Sequence, residues 1–150
     1  MTLPYERATA GEKALTEVQR ILSSFGCQSF GTMTDNERGC LIVAFKWRDR
    51  QVQLEANWNG YAVAWLKQNP WSGSRGTKTR AQHEARALTQ ARISICSVLR
   101  DWVKGQVTAV ECGVLSFEAV FMPHMLTRDG RRVIDAVQAA NLLQSPEARS

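Results

Sequence analysis

Apolar residues recur at three- and four-residue spacing from Leu15 through Val18, Ile21 and Leu22 to Phe25, while Glu17, Gln19 and Arg20 fall on the other side. That is the stripe of an amphipathic helix. Thr9 followed by Glu12 has the spacing of a capping box that would open it, and Gly26 supplies a left-handed stop. The period then changes to two. Residues 28–33 read as a short strand, residues 34–39 as a polar turn, and Cys40–Trp47 as a strand with Leu41, Val43, Phe45 and Trp47 on one face. After a tight turn at Arg48, Asp49 and Arg50, residues 51–57 alternate, with Val52, Leu54 and Ala56 inward and Gln51, Gln53 and Glu55 outward. One wet and one dry face is the mark of an antiparallel strand.

The next segment has two readings. Asn59-Gly60 is a hairpin signal that makes residues 61–67 a fourth strand. The same residues fit a short helix stopped before Pro70, since Tyr61 and Trp65, and Ala62 and Leu66, lie four apart; residue type favours the helix. Residues 70–78, rich in Gly, Ser and Pro, form the one internal loop. Thr79 with Gln82 then opens the longest helix, which runs to about Cys112 before Gly113 with Leu88, Ala91, Ile95, Val98, Leu99, Trp102, Val103 and Val110 as its stripe. At roughly 45 to 50 Å it outreaches a small sheet, and so should overhang, pair with another subunit, or bend near Gly105.

Ser116 with Glu118 marks a further helix start, bearing Phe117, Val120, Phe121 and Met125 up to a kink at Pro123. Asp129-Gly130 reads as a turn, residues 133–143 as a last amphipathic helix, and the tail after Ser145 as frayed. The predicted fold class is therefore α+β: an N-terminal helix on a three- or four-stranded antiparallel sheet, then a long helix and shorter C-terminal helices. With 150 residues, 44% hydrophobic and 22% charged, the chain suits a single domain with its own core.

Charge adds a candidate function. Between Lys67 and Lys104 stand eight Lys or Arg residues against two acids, a segment of +6 in a chain of +5. Such a field favours a polyanion or an acidic protein surface. The candidate nucleic-acid-binding residues are Arg48 and Arg50 in the strand turn, Trp71, Arg75 and Lys78 in the loop, and Arg80, Arg86 and Arg92 on the long helix. Trp71, and Trp47 and Trp58 at the strand ends, offer faces on which unpaired bases stack. Against this, the helix cations spread over much of the polar half of a helical wheel, as a merely solvated face would.

Catalytic chemistry is sparsely represented. The chain has two histidines, His83 and His124, and lacks H-x-x-x-H, phosphate-loop and G-x-S-x-G patterns, so a non-enzymatic protein without metal or cofactor is expected. The best catalytic pairing joins Cys112 or Glu111 to His124; the plainer reading makes Cys112 a buried thiol and His124 a carbonyl cap. Cys27, Cys40, Cys96 and Cys112 are widely spaced, as buried free thiols are. No apolar run is long enough to span a bilayer, and charges near the N-terminus leave no signal peptide, which points to the cytoplasm.

The runs Leu99-Arg100-Asp101-Trp102-Val103-Lys104-Gly105-Gln106, Glu111-Cys112-Gly113 and 117–125, with Arg50-Gln51-Val52-Gln53-Leu54 and Asn69-Pro70-Trp71, resemble small proteins encoded by tailed phages and prophages. The resemblance extends from about Tyr5 to Gly130. It implies a phage origin, action in the bacterial cytoplasm, and one of two tasks: handling viral nucleic acid, or binding a host factor or defence complex that presents an acidic surface. It carries over no catalytic residue. Binding of a nucleotide messenger by the same arginines is a third expectation, and a homodimer through the long helix is a fourth.

Overall fold

The computed structural model describes residues 2–73 and 79–145. Helix α1 spans Glu12–Phe25 and buries Ala14, Val18 and Leu22. Its start differs from the capping-box expectation: Gly11, at φ 50°, is the N-cap, and no side chain caps the helix. A residue of positive φ there turns the chain into the helix after the N-terminal segment has been tied to α2 and α3, leaving Thr9 two residues too early. The stop is as expected, with Gly26 at φ 109° donating its N–H to the last carbonyls.

Three antiparallel strands follow in the order β1-β2-β3: β1 (Ser29–Asp35), β2 (Cys40–Trp47) and β3 (Arg50–Asn57). β1 extends two residues beyond the sequence pattern because Thr34 and Asp35 pair with Leu41 and Cys40. Phe45, Val43 and Leu41 of β2 and Val52 and Leu54 of β3 supply the inner face. The β2–β3 turn holds Arg48 at φ 54°.

Helix α2 (Trp58–Gln68) decides between the two readings of that segment. The Asn57 side chain accepts from the N–H groups of Asn59 and Gly60 at 2.8 and 3.2 Å, so the Asn-Gly pair lies in a capped first turn and makes no hairpin. The sheet keeps three strands. Helix α3 (Arg80–Glu111) opens with the expected capping box, Thr79 accepting from the Gln82 N–H and Gln82 from the Thr79 N–H.

α3 is continuous through Gly105, and it is enclosed at its middle. Ser94, Ile95, Cys96 and Ser97 are all buried, because α1 packs on one side and α2 on another. Small residues, Ala87, Ala91, Ser94 and Ser97, allow that approach. The stripe read from sequence is correspondingly shifted: Leu88 and Val98 are 40% and 39% exposed.

Ser116 caps helix α4 (Phe117–Phe121), and Pro123 lies in a 3-10 turn at Met122–His124. Phe121 is fully buried, edge-on to Phe45 and Trp102. Helix α5 (Val133–Ala139) ends four residues before the expected limit, leaving Leu142 and Leu143 exposed. The Met125–Leu126 segment bridges Val52, and the Leu126 N–H donates to the Gln51 carbonyl oxygen at 2.9 Å, covering the outer edge of β3. The expected frayed tail falls on residues 146–150, outside those described.

Candidate functional site

Two antiparallel helices build the cationic region. Arg92 of α3 lies over the Trp58 ring at 4.7 Å, and Arg86 lies over the Trp65 ring at 5.7 Å. Trp58 and Trp65 are two turns apart on α2, Arg86 and Arg92 six residues apart on α3, so the pairs match only if the helices run in opposite directions. Both indoles are buried and both arginines exposed. Stacking fixes each guanidinium plane without neutralising it, and its N–H edges remain available. Among the described residues no carboxylate lies within 4.0 Å of either arginine.

The seam continues toward the start of α3. The His83 ring stands 5.2 Å from Trp65, and its Nε2 makes a 2.6 Å hydrogen bond with the Asn69 carbonyl oxygen, clipping the end of α2 to the first turn of α3. Leu66, Pro70, Trp71, Arg80, His83 and Glu84 line an open cavity of about 380 Å³ there. Trp71 is 43% exposed. Arg80 pairs with Glu84 at 3.3 Å, an exposed bridge of small energetic weight.

The other sequence candidates divide. Arg75 and Lys78 lie outside the described residues. Arg48 stacks on Trp47 at 4.2 Å beside the exposed Arg50, but that turn is at the far end of the sheet from Trp58, which follows β3. Trp71 and Arg80 line the cavity at the start of α3, Arg86 and Arg92 follow along its seam with α2, and Arg48 and Arg50 stand apart at the β2–β3 turn. Arg100 is tied to Glu17 at 3.6 Å and Asp101 at 3.0 Å. Stacking platforms are fewer than expected. Trp58 is buried under Arg92, and Trp47 is packed by Phe117, at 4.2 Å, and by Arg48, while Trp71 keeps part of its surface exposed.

The catalytic pairing is corrected. Cys112 is exposed, not buried, and caps the far end of α3. His124 packs edge-on to Trp102, ten residues earlier on that helix, or about 15 Å along its axis. No hydrogen bond joins them. Burial pushes the Cys27 thiol up to about 11 and raises that of Cys96, which keeps both protonated and inert. Cys27 is half-buried, a second departure from the expectation.

Sequence reading missed one charged cluster. Glu55, on the outer face of β3, accepts from Arg38, from Gln53 Nε2 at 3.1 Å and pairs with Arg132 Nε at 3.1 Å; Arg132 also forks onto Asp135 at 3.0 and 3.1 Å. These residues come from a turn, a strand and α5, so only the fold unites them. Alternation placed Glu55 outward, which was the one available signal. Beside them a cavity of about 210 Å³ is lined by Leu54, Glu55, Leu99, Trp102 and His124, whose buried Nδ1 has no hydrogen-bond partner among the described residues. Burial, and then the Arg132 charge, lower the His124 pKa. With Glu55 already satisfied, the cluster is an ion network that fastens α5 to the sheet.

An α+β domain with an arginine–tryptophan seam is thus the class that fold and site define. Against family models, curated proteins and solved structures the chain has no match. Among the described residues no helix is long and apolar enough to cross a membrane, and no group of three or more His, Cys, Asp or Glu is placed to hold a metal ion.

Proposed function

We propose that this protein is non-enzymatic and binds nucleic acid through the phosphate backbone along the α2–α3 seam, with single strands favoured because Trp71, 43% exposed, stands beside the start of α3 where an unpaired base can reach it. The observation that carries the reading is the pair Arg86 and Arg92, each laid on a buried indole and free of carboxylates among the described residues. They are six residues, about 9 Å of rise, apart on α3, and their contacts with Trp65 and Trp58 draw both guanidinium groups toward α2. A guanidinium whose plane is already fixed loses less freedom on gripping a phosphate than a free side chain does. A phage origin and action in bacterial cytoplasm, which the sequence resemblance implies, are part of the same proposal.

Fluorescence anisotropy with single-stranded DNA, duplex DNA and RNA at rising salt tests it. Binding should weaken linearly on a log–log salt plot, by about 0.7 in slope per phosphate contacted on a single strand. Absence of binding to all three at ~50 mM salt, where counterion release is most favourable, rejects the reading.

A second reading, a protein-binding adaptor, has an observation of its own. Between α4, the 3-10 turn and α5 runs a groove of about 440 Å³, lined by Met122, Pro123, Val133, Ile134, Val137 and Leu143. Its mostly apolar lining suits an amphipathic helix of a partner protein laid along α5. Such a partner would survive nuclease treatment and be lost with Met122→Asp. A partner lost on nuclease digestion would belong to the first reading instead.

A further inference from the structure

The two edges of the sheet are treated differently. The β3 edge is covered by the Met125–Leu126 segment, whereas β1 pairs only with β2 and its other edge is unpaired among the described residues. Exposed edges are ordinarily blunted by lysine, arginine, proline or shortness. β1 has none of these: it is seven residues long, reads Ser-Phe-Gly-Thr-Met-Thr-Asp, and carries no cation and no proline. Met33 on it is 59% exposed.

We infer that β1 is a homodimer edge, two copies pairing antiparallel about a two-fold axis at Thr32 to give one six-stranded sheet. Three observations select a second copy as the occupant and fix the register. Centring on Thr32, the middle residue, pairs all seven residues: Thr32 with itself, Gly31 with Met33, Phe30 with Thr34, and Ser29 with Asp35. Gly31 leaves open space where a Cβ would stand, and it lies on the same sheet face as Met33, so the partner's methionine fills the gap beside Ala44. Charge is complementary as well. Lys46 sits opposite Ser29 and has no carboxylate within 4.0 Å among the described residues, while Asp35, which accepts from the Arg38 N–H at 3.0 Å, marks the other end of the strand; the two-fold brings the partner's Asp35 opposite Ser29, on the sheet face that carries Lys46, and does so twice.

Association is read first by light scattering after size exclusion over a micromolar concentration range. Twice the chain mass is expected at the upper end, and a monomer throughout overturns the inference. Thr32→Lys places two ammonium groups opposite each other and should weaken dimerisation at least tenfold, while melting of the monomer stays near wild type since Thr32 is exposed. Should Thr32→Lys fail to fold, Met33→Lys serves the same purpose. A dimer unaffected by whichever variant folds lies elsewhere and overturns the proposal.

The register has its own readout. In a Cys112→Ser background, which removes the exposed thiol, Thr32→Cys should cross-link to itself under mild oxidation. Opposed antiparallel residues stand ~4.5 to 5.5 Å apart at Cα, inside the span of a disulfide. Asp35→Cys should not, because two copies of residue 35 would lie six residues apart, about 20 Å. Mixed Ser29→Cys and Asp35→Cys chains should join to each other. Self-cross-linking at position 35 in place of position 32 rejects the register.

Discussion

The Ser94 hydroxyl, on a residue with no solvent exposure at the centre of α3, donates to the Tyr5 carbonyl oxygen at 2.8 Å. Through it the N-terminal segment becomes a strap. Gln90 donates to the Ala8 carbonyl at 3.0 Å, Tyr61 of α2 donates to the Pro4 carbonyl at 2.6 Å, and the Tyr5 hydroxyl donates to Asp101 at 2.7 Å. Tyr5 itself sits at φ 65°, a conformation that an L-residue adopts only when its surroundings hold it. Ser94→Ala leaves the Tyr5 carbonyl without its partner at a cost of about 1 to 3 kcal/mol. Thermal unfolding should show the loss, and amide exchange should rise at residues 5–8 more than in β2.

Arg86→Ala with Arg92→Ala separates binding from folding. Each stacked pair contributes about 0.5 to 1 kcal/mol at an exposed site, so the double variant should fold with a modest loss of stability. Single-strand affinity should fall and the log–log salt slope should shrink by about 1.4, two phosphates' worth. Trp71→Ala should cost about 1 to 3 kcal/mol of single-strand binding and leave the slope unchanged, since stacking releases no counterion. Equal slopes for wild type and the double arginine variant would remove the seam from the interface.

How much of this was readable beforehand depends on whether the deciding contact is local. The Thr79–Gln82 box, the Gly26 stop and the Ser116 cap each need only neighbouring residues, and all three stand where the chain places them. Thr9 satisfied the same pattern and lost to Gly11, because the strap fixes the direction from which the chain enters α1. Asn59-Gly60 carried a hairpin signal that Asn57 overruled by capping a helix two residues earlier. At the candidate site, charge count pointed to α3 but not to the seam. The partners of Arg86 and Arg92 lie some 20 to 35 residues back on α2, and only the antiparallel packing of the two helices turns Trp58 and Trp65 into their platforms. Glu55 and Arg132 are farther apart still in the chain, with no local pattern to link them.

Gly39 and Asn59 give a test of close packing between turn and helix. Gly39 is at φ 66°, its carbonyl oxygen accepts from the Trp58 N–H at 3.0 Å, and a Cβ added to it would run into the Asn59 side chain. Gly39→Ala should therefore destabilise for two reasons, the left-handed backbone, worth about 1 to 2 kcal/mol, and the collision. Asn59→Ala in the same chain removes only the second. A double-mutant cycle by urea unfolding should give a favourable coupling of about 0.5 kcal/mol or more, whereas strict additivity would mean the side chains do not meet.

Acid unfolding should proceed in two stages, with opposite ionisations behind them. His124 is held neutral by burial and by Arg132, so its folded pKa lies below the ordinary 6.5. The unfolded chain takes up that proton first, and stability should decline as pH falls from about 6.5 toward the depressed folded value, then level off. Asp101, Asp129 and Asp135 are also lowered, by hydrogen bonds chiefly from Arg100, Thr127 and Arg132 respectively. Their stabilisation is present above the ordinary carboxylate value and disappears only as pH drops through the lower folded ones, a separate limb below about pH 4. His124→Gln should flatten the first limb and leave the second. Urea midpoints measured from pH 8 to pH 3 would show this, and a His124→Gln profile parallel to wild type between pH 7 and pH 5 would mean that the imidazole takes up its proton as readily in the folded chain as in the unfolded one.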